Sequence, residues 1–158
     1  MWNSKQSAML SIVVCWVCVT ILTAFLIAGP WLIGLWFIGY YGWGVEDELY
    51  QRALQLYYVS FYPCAAFGYV TLYSLIRLLT NIRRGDVFTL RNVAYLRRIS
   101  WCCFAVAAIA LAVAILYVDI VPFLLVAGAA AFVGLMLRVV KNVMQQAVEI
   151  REENELTI

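Results

Sequence analysis

Histidine is absent, proline occurs only three times, and charged residues make up just 13% of the 158 positions. Each shortage closes off a class of function. Without histidine there is no imidazole to act as general base at neutral pH or as the common nitrogen ligand of a zinc site. Eleven basic and nine acidic residues leave a net charge of +2, too small and too divided for a protein that grips nucleic acid through a basic face. A soluble domain is about half apolar and a quarter charged; here the apolar share is 66%. A disordered chain and a soluble enzyme are both excluded on that arithmetic.

The few charges are clustered, and they leave four charge-free runs at 6–45, 53–76, 99–118 and 120–137. A helix crosses a bilayer with about 20 apolar residues. The runs therefore predict an all-α integral membrane four-helix bundle, a single domain with spans at 8–29, 53–76, 99–118 and 122–137. The first run is too long for the apolar core of a signal peptide and lacks a small-residue cleavage motif, so it is read as a retained span. Residues 8–44 as one helix would reach roughly 55 Å, so the helix is expected to kink or end near Pro30. The aromatic, glycine-rich piece beyond it (Trp31, Trp36, Tyr40, Trp43) is then assigned to the outer interface, where Trp and Tyr concentrate. Small residues at four-residue spacing, Ala108/Ala112 and Ala110/Ala114 against Ala127/Ala131 and Ala130/Gly134, predict a tight hairpin of the last two spans.

Ten of the eleven basic residues fall on one side of this topology and only Arg52 on the other. That imbalance puts both termini and the 77–98 loop in the cytoplasm. In the loop, Gly85-Asp86 ends one helix, and Thr89 is the expected N-cap of the next, with Phe88 set to pack on Val93. The tail, 138–158, continues the last span as an amphipathic helix. Met136, Val140, Val143, Ala147 and Ile150 form an apolar seam that must be covered by the loop, a second copy, a partner or the headgroup layer. The last ten residues carry four glutamates and one arginine while the loop carries six arginines, so the two are expected to lie close together, partly as ion pairs.

Reactive chemistry is sparse. Cys15 and Cys18 form a C-x-x-C, Cys102 and Cys103 are adjacent, and Cys64 follows Pro63, but all lie in or beside apolar spans where cysteine serves as a small apolar residue. Asp119 sits in a turn beside Pro122, where capping the next helix accounts for it. No nucleophile–base pair, carboxylate dyad, phosphate loop or metal-ligand set can be assembled, so catalytic residues, cofactor and metal are all expected to be none. Trp36, Tyr40, Tyr58 and Tyr62 are the candidates for an outward-facing aromatic pocket that would take an apolar ligand or peptide.

Two stretches are distinctive in combination. Arg84-Gly-Asp-Val-Phe-Thr, followed by Asn92-Val and Leu96-Arg-Arg-Ile, together with the closing Glu152-Glu-Asn-Glu-Leu-Thr-Ile158, resemble a bacterial membrane family known as domain of unknown function 2975. The resemblance runs the whole length; the aromatic outer piece and the cysteines are not part of the pattern. It implies a multi-pass protein of the bacterial cytoplasmic membrane with no established activity. Members are often encoded beside small helix-turn-helix regulators of the Xre/Cro type, which implies a membrane partner that holds or releases a transcription factor. On that reading the partner surface comprises Arg84, Asp86, Phe88, Thr89, Asn92, Glu153, Glu155, Leu156 and Thr157. Its partners are the lipid bilayer, a cytoplasmic helix-turn-helix regulator and a second copy of the chain, with no direct nucleic-acid contact. The alternative is a small transporter, immunity or ligand-binding protein working through the aromatic pocket.

Overall fold

The computed structural model describes residues 4–41, 47–116 and 120–156. They form four helices: α1 (Ser4–Tyr41), α2 (Asp47–Arg84), α3 (Leu90–Leu116) and α4 (Ile120–Leu156). Each is long and apolar enough to cross a membrane. Neighbours in sequence pack against each other, α1 on α2, α2 on α3 and α3 on α4. Among the described residues, α1 approaches neither α3 nor α4. The four therefore stand as an antiparallel row, with the start of α1, the 85–89 loop and the end of α4 at one end.

Unlike a soluble bundle, the protein is apolar on its surface as well as in most of its interior. The side chains buried most completely are polar, Asn92 and Ser74, while Ile27, Trp31, Ile115 and Leu125 are exposed on the outside. In water such a surface would drive aggregation; in lipid it is the solvated face, and helix association depends instead on close packing and interhelical hydrogen bonds.

α1 does not stop at Pro30. It continues to Tyr41, for a length of 38 residues, about 57 Å at ~1.5 Å per residue. Proline has no N–H, so Pro30 leaves the carbonyl of Leu26, four residues earlier, without its helical donor. α2 supplies one: the Tyr62 hydroxyl donates to the Leu26 oxygen at 3.2 Å. One turn away, the Tyr57 hydroxyl donates to the Phe25 oxygen, with its ring lying against Gly29. A bare carbonyl in lipid costs several kcal/mol, and Tyr62 removes the need for the helix to break, while Tyr57 adds a second bond to a carbonyl that keeps its helical donor. Thr23 and Tyr69 share a further hydrogen bond of 2.7 Å between the same helices. Along α1, the residues turned to α2 recur every seven positions: Ala8, Cys15, half-buried Leu22 and Gly29. That is the seam of a shallow left-handed crossing, and it gives Cys15 a packing role. Pro122 falls in the first turn of α4, where no donor is missed.

The α3–α4 hairpin forms, but through one of the two expected stripes. Ala110, Val113 and Ala114 are buried against α4, whereas Ala108 and Ala112 are exposed. On α4, Ala127 and Gly134 are buried and Ala130 and Ala131 are partly so. The two stripes sit about two residues, or 200°, apart on the same helix, so only one can face a single neighbour. Gly134 is the closest approach: a Cβ there would stand 3.3 Å from the Cys103 Cβ and the Phe104 ring. The Ser100 hydroxyl donates to the Gly134 oxygen at 2.8 Å, across the same contact.

Candidate functional site

The loop between α2 and α3 is built, residue by residue, from standard terminating chemistry. Gly85 has φ = +95°, the left-handed conformation that ends a helix. Its N–H donates to the Ile82 oxygen and that of Asp86 to the Asn81 oxygen, both at 3.1 Å, the paired closure of a glycine C-cap. Thr89 then caps α3. The Asn92 N–H reaches the Thr89 oxygen at 3.0 Å and its hydroxyl at 3.4 Å.

Asn92 locks the two ends together. Its Nδ2 donates to the backbone oxygens of Asp86 at 2.7 Å and Val87 at 2.8 Å, and its Oδ1 accepts from Asn81 Nδ2 at 2.8 Å. With 0% of its surface exposed, Asn92 is the internal post of the loop and not a partner-facing residue as expected from the sequence. Thr89 is spent on the cap. Arg84, Asp86 and Phe88 remain exposed on the loop surface. Asn81 was missed, and no periodicity could have found it: it becomes important only because the turn folds α3 back beside α2.

The tail lies on the same end. α4 runs unbroken to Leu156. The Ser100–Gly134 contact sets the hairpin register: ten residues from it α3 begins at Leu90 while α4 has reached Met144, so the last turns of α4 extend past the start of α3. Val148 is buried, along with a stripe of Gly134, partly buried Leu137, Lys141 and Met144. The expected seam is a different stripe. Val140, Val143 and Ile150 are 48–61% exposed, and Val139 beside them is 60% exposed. Thus the tail packs by one face and leaves a second apolar face open. Among the described residues, no ion pair joins Arg83, Arg84, Arg91 or Arg97 to a tail carboxylate, and the side chains of Glu152 and Glu155, half of the expected clasp, lie outside them. Glu149 instead accepts from Gln145 at 3.1 Å on its own helix. Glu153 is exposed on the last turns of α4. Thr157 lies outside the described residues, as do the side chains of Glu155 and Leu156.

At the opposite end, a cavity of about 600 Å³ opens between α1 and α2, lined by Phe25, Gly29, Leu32, Ile33, Trp36 and Tyr57 among others. Trp36 is in its wall as expected. Tyr58 and Tyr62 are not: Tyr62 is tied to the Leu26 carbonyl, and Tyr58 stacks at a tilt on Tyr62, ring centroids 5.3 Å apart. The side chain of Tyr40 lies outside the described residues, as does Asp119. Tyr57 takes the place of those tyrosines in the wall. A second apolar cavity, about 470 Å³, separates the α1–α2 and α3–α4 pairs and includes Cys18, Cys102 and Cys103. All five cysteines are free. Among the described residues, no three His, Cys, Asp or Glu side chains converge as a metal site would require.

Four helices long and apolar enough to cross a membrane, packed on mostly small or apolar buried residues and covered by exposed aliphatic ones, define a multi-pass all-α membrane protein. More specifically, the chain belongs to the family described as "Protein of unknown function (DUF2975)", whose model matches residues 6–158 and which the loop and tail motifs resemble. No curated protein and no solved structure matches it.

Proposed function

We propose that this chain is a non-enzymatic anchor in the bacterial cytoplasmic membrane that holds a soluble helix-turn-helix regulator against its cytoplasmic face. One observation carries the reading: beyond the last apolar span, α4 keeps Val139, Val140, Val143 and Ile150 exposed, uncovered by any of the described residues. An exposed apolar stripe on a projecting helix is the half of a helix-in-groove contact that the chain itself supplies. Glu149, Glu152, Glu153 and Glu155 crowd the same helix end. An acidic, apolar-striped helix complements a basic partner, and DNA-binding regulators are basic. The loop presents Arg84, Asp86 and Phe88 beside it on a backbone stiffened by Asn92. Both termini and the loop are cytoplasmic on this reading, by the ten-to-one distribution of basic residues.

The test is crosslinked capture from native membranes with the full chain, a deletion of 152–158 and Val143→Asp, alongside transcription of the captured regulator's targets. The expected result is a DNA-binding protein recovered with the full chain and lost with both variants. Equal recovery with all three, or unchanged transcription, rejects the reading.

A second reading rests on the 600 Å³ outer cavity, which would take an apolar ligand against Trp36 and Tyr57. Trp36→Ala impairs that function and leaves the regulator contact untouched, so the two readings separate on one substitution.

A further inference from the structure

Between α3 and α4, Arg97, Ser100, Trp101, Arg138 and Lys141 line a small cavity of about 70 Å³. Three cations meet there, and among the described residues none of them has an acidic partner. Like charges brought together without a counterion repel, and the arrangement is held by other means. The Arg138 guanidinium lies over the Trp101 ring at 5.3 Å and the Phe104 ring at 5.6 Å, so it is fixed by aromatic faces and still lacks an anion. Ser100, whose hydroxyl is spent on the Gly134 oxygen, pins α3 to α4 immediately beneath the cluster. The cavity is about twice the ~30 Å³ that one water occupies in the liquid, the scale of a single phosphate group.

Its depth is as informative as its charge. Arg97 is two residues before the charge-free run 99–118, and Arg138 directly follows the run 120–137. The cluster therefore sits where apolar helix gives way to headgroups. Trp101, 59% exposed, is the residue type that settles at that level. Directly below, exposed Leu135 and Phe132 face the hydrocarbon.

We propose that Arg97, Arg138 and Lys141 form a phosphate site that takes the phosphodiester of an anionic lipid, with Trp101 as its interfacial wall and the acyl chains lying along α4. The site is independent of the regulator reading, since it uses neither the exposed seam nor the loop residues Arg84, Asp86 and Phe88 assigned to the partner surface. It differs from a general attraction of the basic end for anionic lipid in being confined to these side chains: Arg83, Arg84 and Arg91 carry the same total charge but are not among the residues that line this cavity.

The test uses the full chain in mild detergent, with retained lipid read by native mass spectrometry after exposure to phosphatidylcholine vesicles with and without phosphatidylglycerol. The wild-type chain retains phosphatidylglycerol selectively. The triple change Arg97→Gln, Arg138→Gln, Lys141→Gln lowers that selectivity about 100-fold. The control triple Arg83→Gln, Arg84→Gln, Arg91→Gln keeps it. Inorganic phosphate added as competitor separates the sources: no displacement assigns the site to lipid, and displacement assigns it to free phosphate and overturns the lipid part. Equal loss in both triples reduces the effect to diffuse charge and overturns the proposal, as does retention in both. Should the site triple fail to fold, Lys141→Gln alone is expected to lose about 5-fold, and unchanged selectivity in that variant overturns the proposal as well.

Discussion

The two halves of this molecule solve the same problem by different chemistry. α3 and α4 associate through absence of bulk: Ala110, Ala114, Ala127 and Gly134 let the backbones approach until a single added carbon at Gly134 would touch Cys103 and Phe104. α1 and α2 associate through tyrosines. Tyr57, Tyr62 and Tyr69 reach across to the Phe25 and Leu26 carbonyls and the Thr23 hydroxyl, and the two helices leave a cavity of about 600 Å³ between them. In lipid the hydrophobic effect does not draw helices together, so contact must come from dispersion at short range or from hydrogen bonds. The α3–α4 half relies mainly on close approach, with the single Ser100–Gly134 hydrogen bond across it, and the α1–α2 half relies on several tyrosine hydrogen bonds. The tight half carries the projecting tail and the cationic cavity, and the open half carries the outer pocket. A rigid hairpin suits a platform that holds partners, and a looser pair leaves room for something to enter.

That contrast is breakable at defined points. The largest effect is expected at Gly134→Leu, which drives a side chain into Cys103 and Phe104. Overpacking of this kind costs about 1–3 kcal/mol, seen as a lower midpoint in detergent-titrated unfolding. Gly128→Leu on the same helix, where a Cβ meets nothing within 4 Å, is the matched control and stays near wild type. If both behave alike, the hairpin is not held by close approach.

Next is Asn92→Ala, which removes a donor from two part-buried carbonyls and an acceptor from Asn81. Water reaches these groups at the loop surface, so the net cost is about 1 kcal/mol. The loss is local, so hydrogen exchange should accelerate across 85–92 while the α3–α4 hairpin stays protected. Uniform acceleration along the chain would instead show the loop to be part of the global core.

A smaller effect sharpens the picture of the open half. Tyr62→Phe removes the donor to the Leu26 carbonyl and is expected to cost about 0.6 kcal/mol, the average for such bonds in membranes. In a Pro30→Ala background the helix supplies its own N–H to Leu26, so the same change costs nothing. A double-mutant cycle with no coupling removes the account given for α1 crossing Pro30 unbroken.

The smallest is Ser74→Ala. Its hydroxyl is wholly buried with no partner among the described residues. Removing it is expected to be neutral or stabilising by up to about 1 kcal/mol, measured in the same unfolding titration. A loss of stability would reveal a hydrogen bond at the α2–α3 contact.

Much of the architecture was legible in the residues. Charge-free runs of the right length need no partner to declare a crossing helix, and Gly85 and Thr89 end and begin helices by local geometry alone. Site assignment fared differently. Asn92 looked like an exposed polar residue in a distinctive motif and is the most buried side chain of the loop. Tyr62 looked like a pocket wall and is a surrogate helix donor. Arg138 and Lys141 looked like topology signals, and only the hairpin brings Arg97 beside them. In each case the residue's meaning depends on what lies across from it, and pattern along one helix is silent on that.

The sequence by itself determined the number of helices, their antiparallel order and the end that carries the positive charge, because transfer of apolar segments into lipid and of charges out of it is decided segment by segment. It also determined the loop, whose cap and C-cap interactions span a few residues. Only the tertiary structure decided whether α1 survives Pro30, which alanine stripe is buried, and which cations share a cavity. Those outcomes turn on distances between helices, where a carbonyl is rescued or a side chain is buried only if a particular neighbour arrives at the right level.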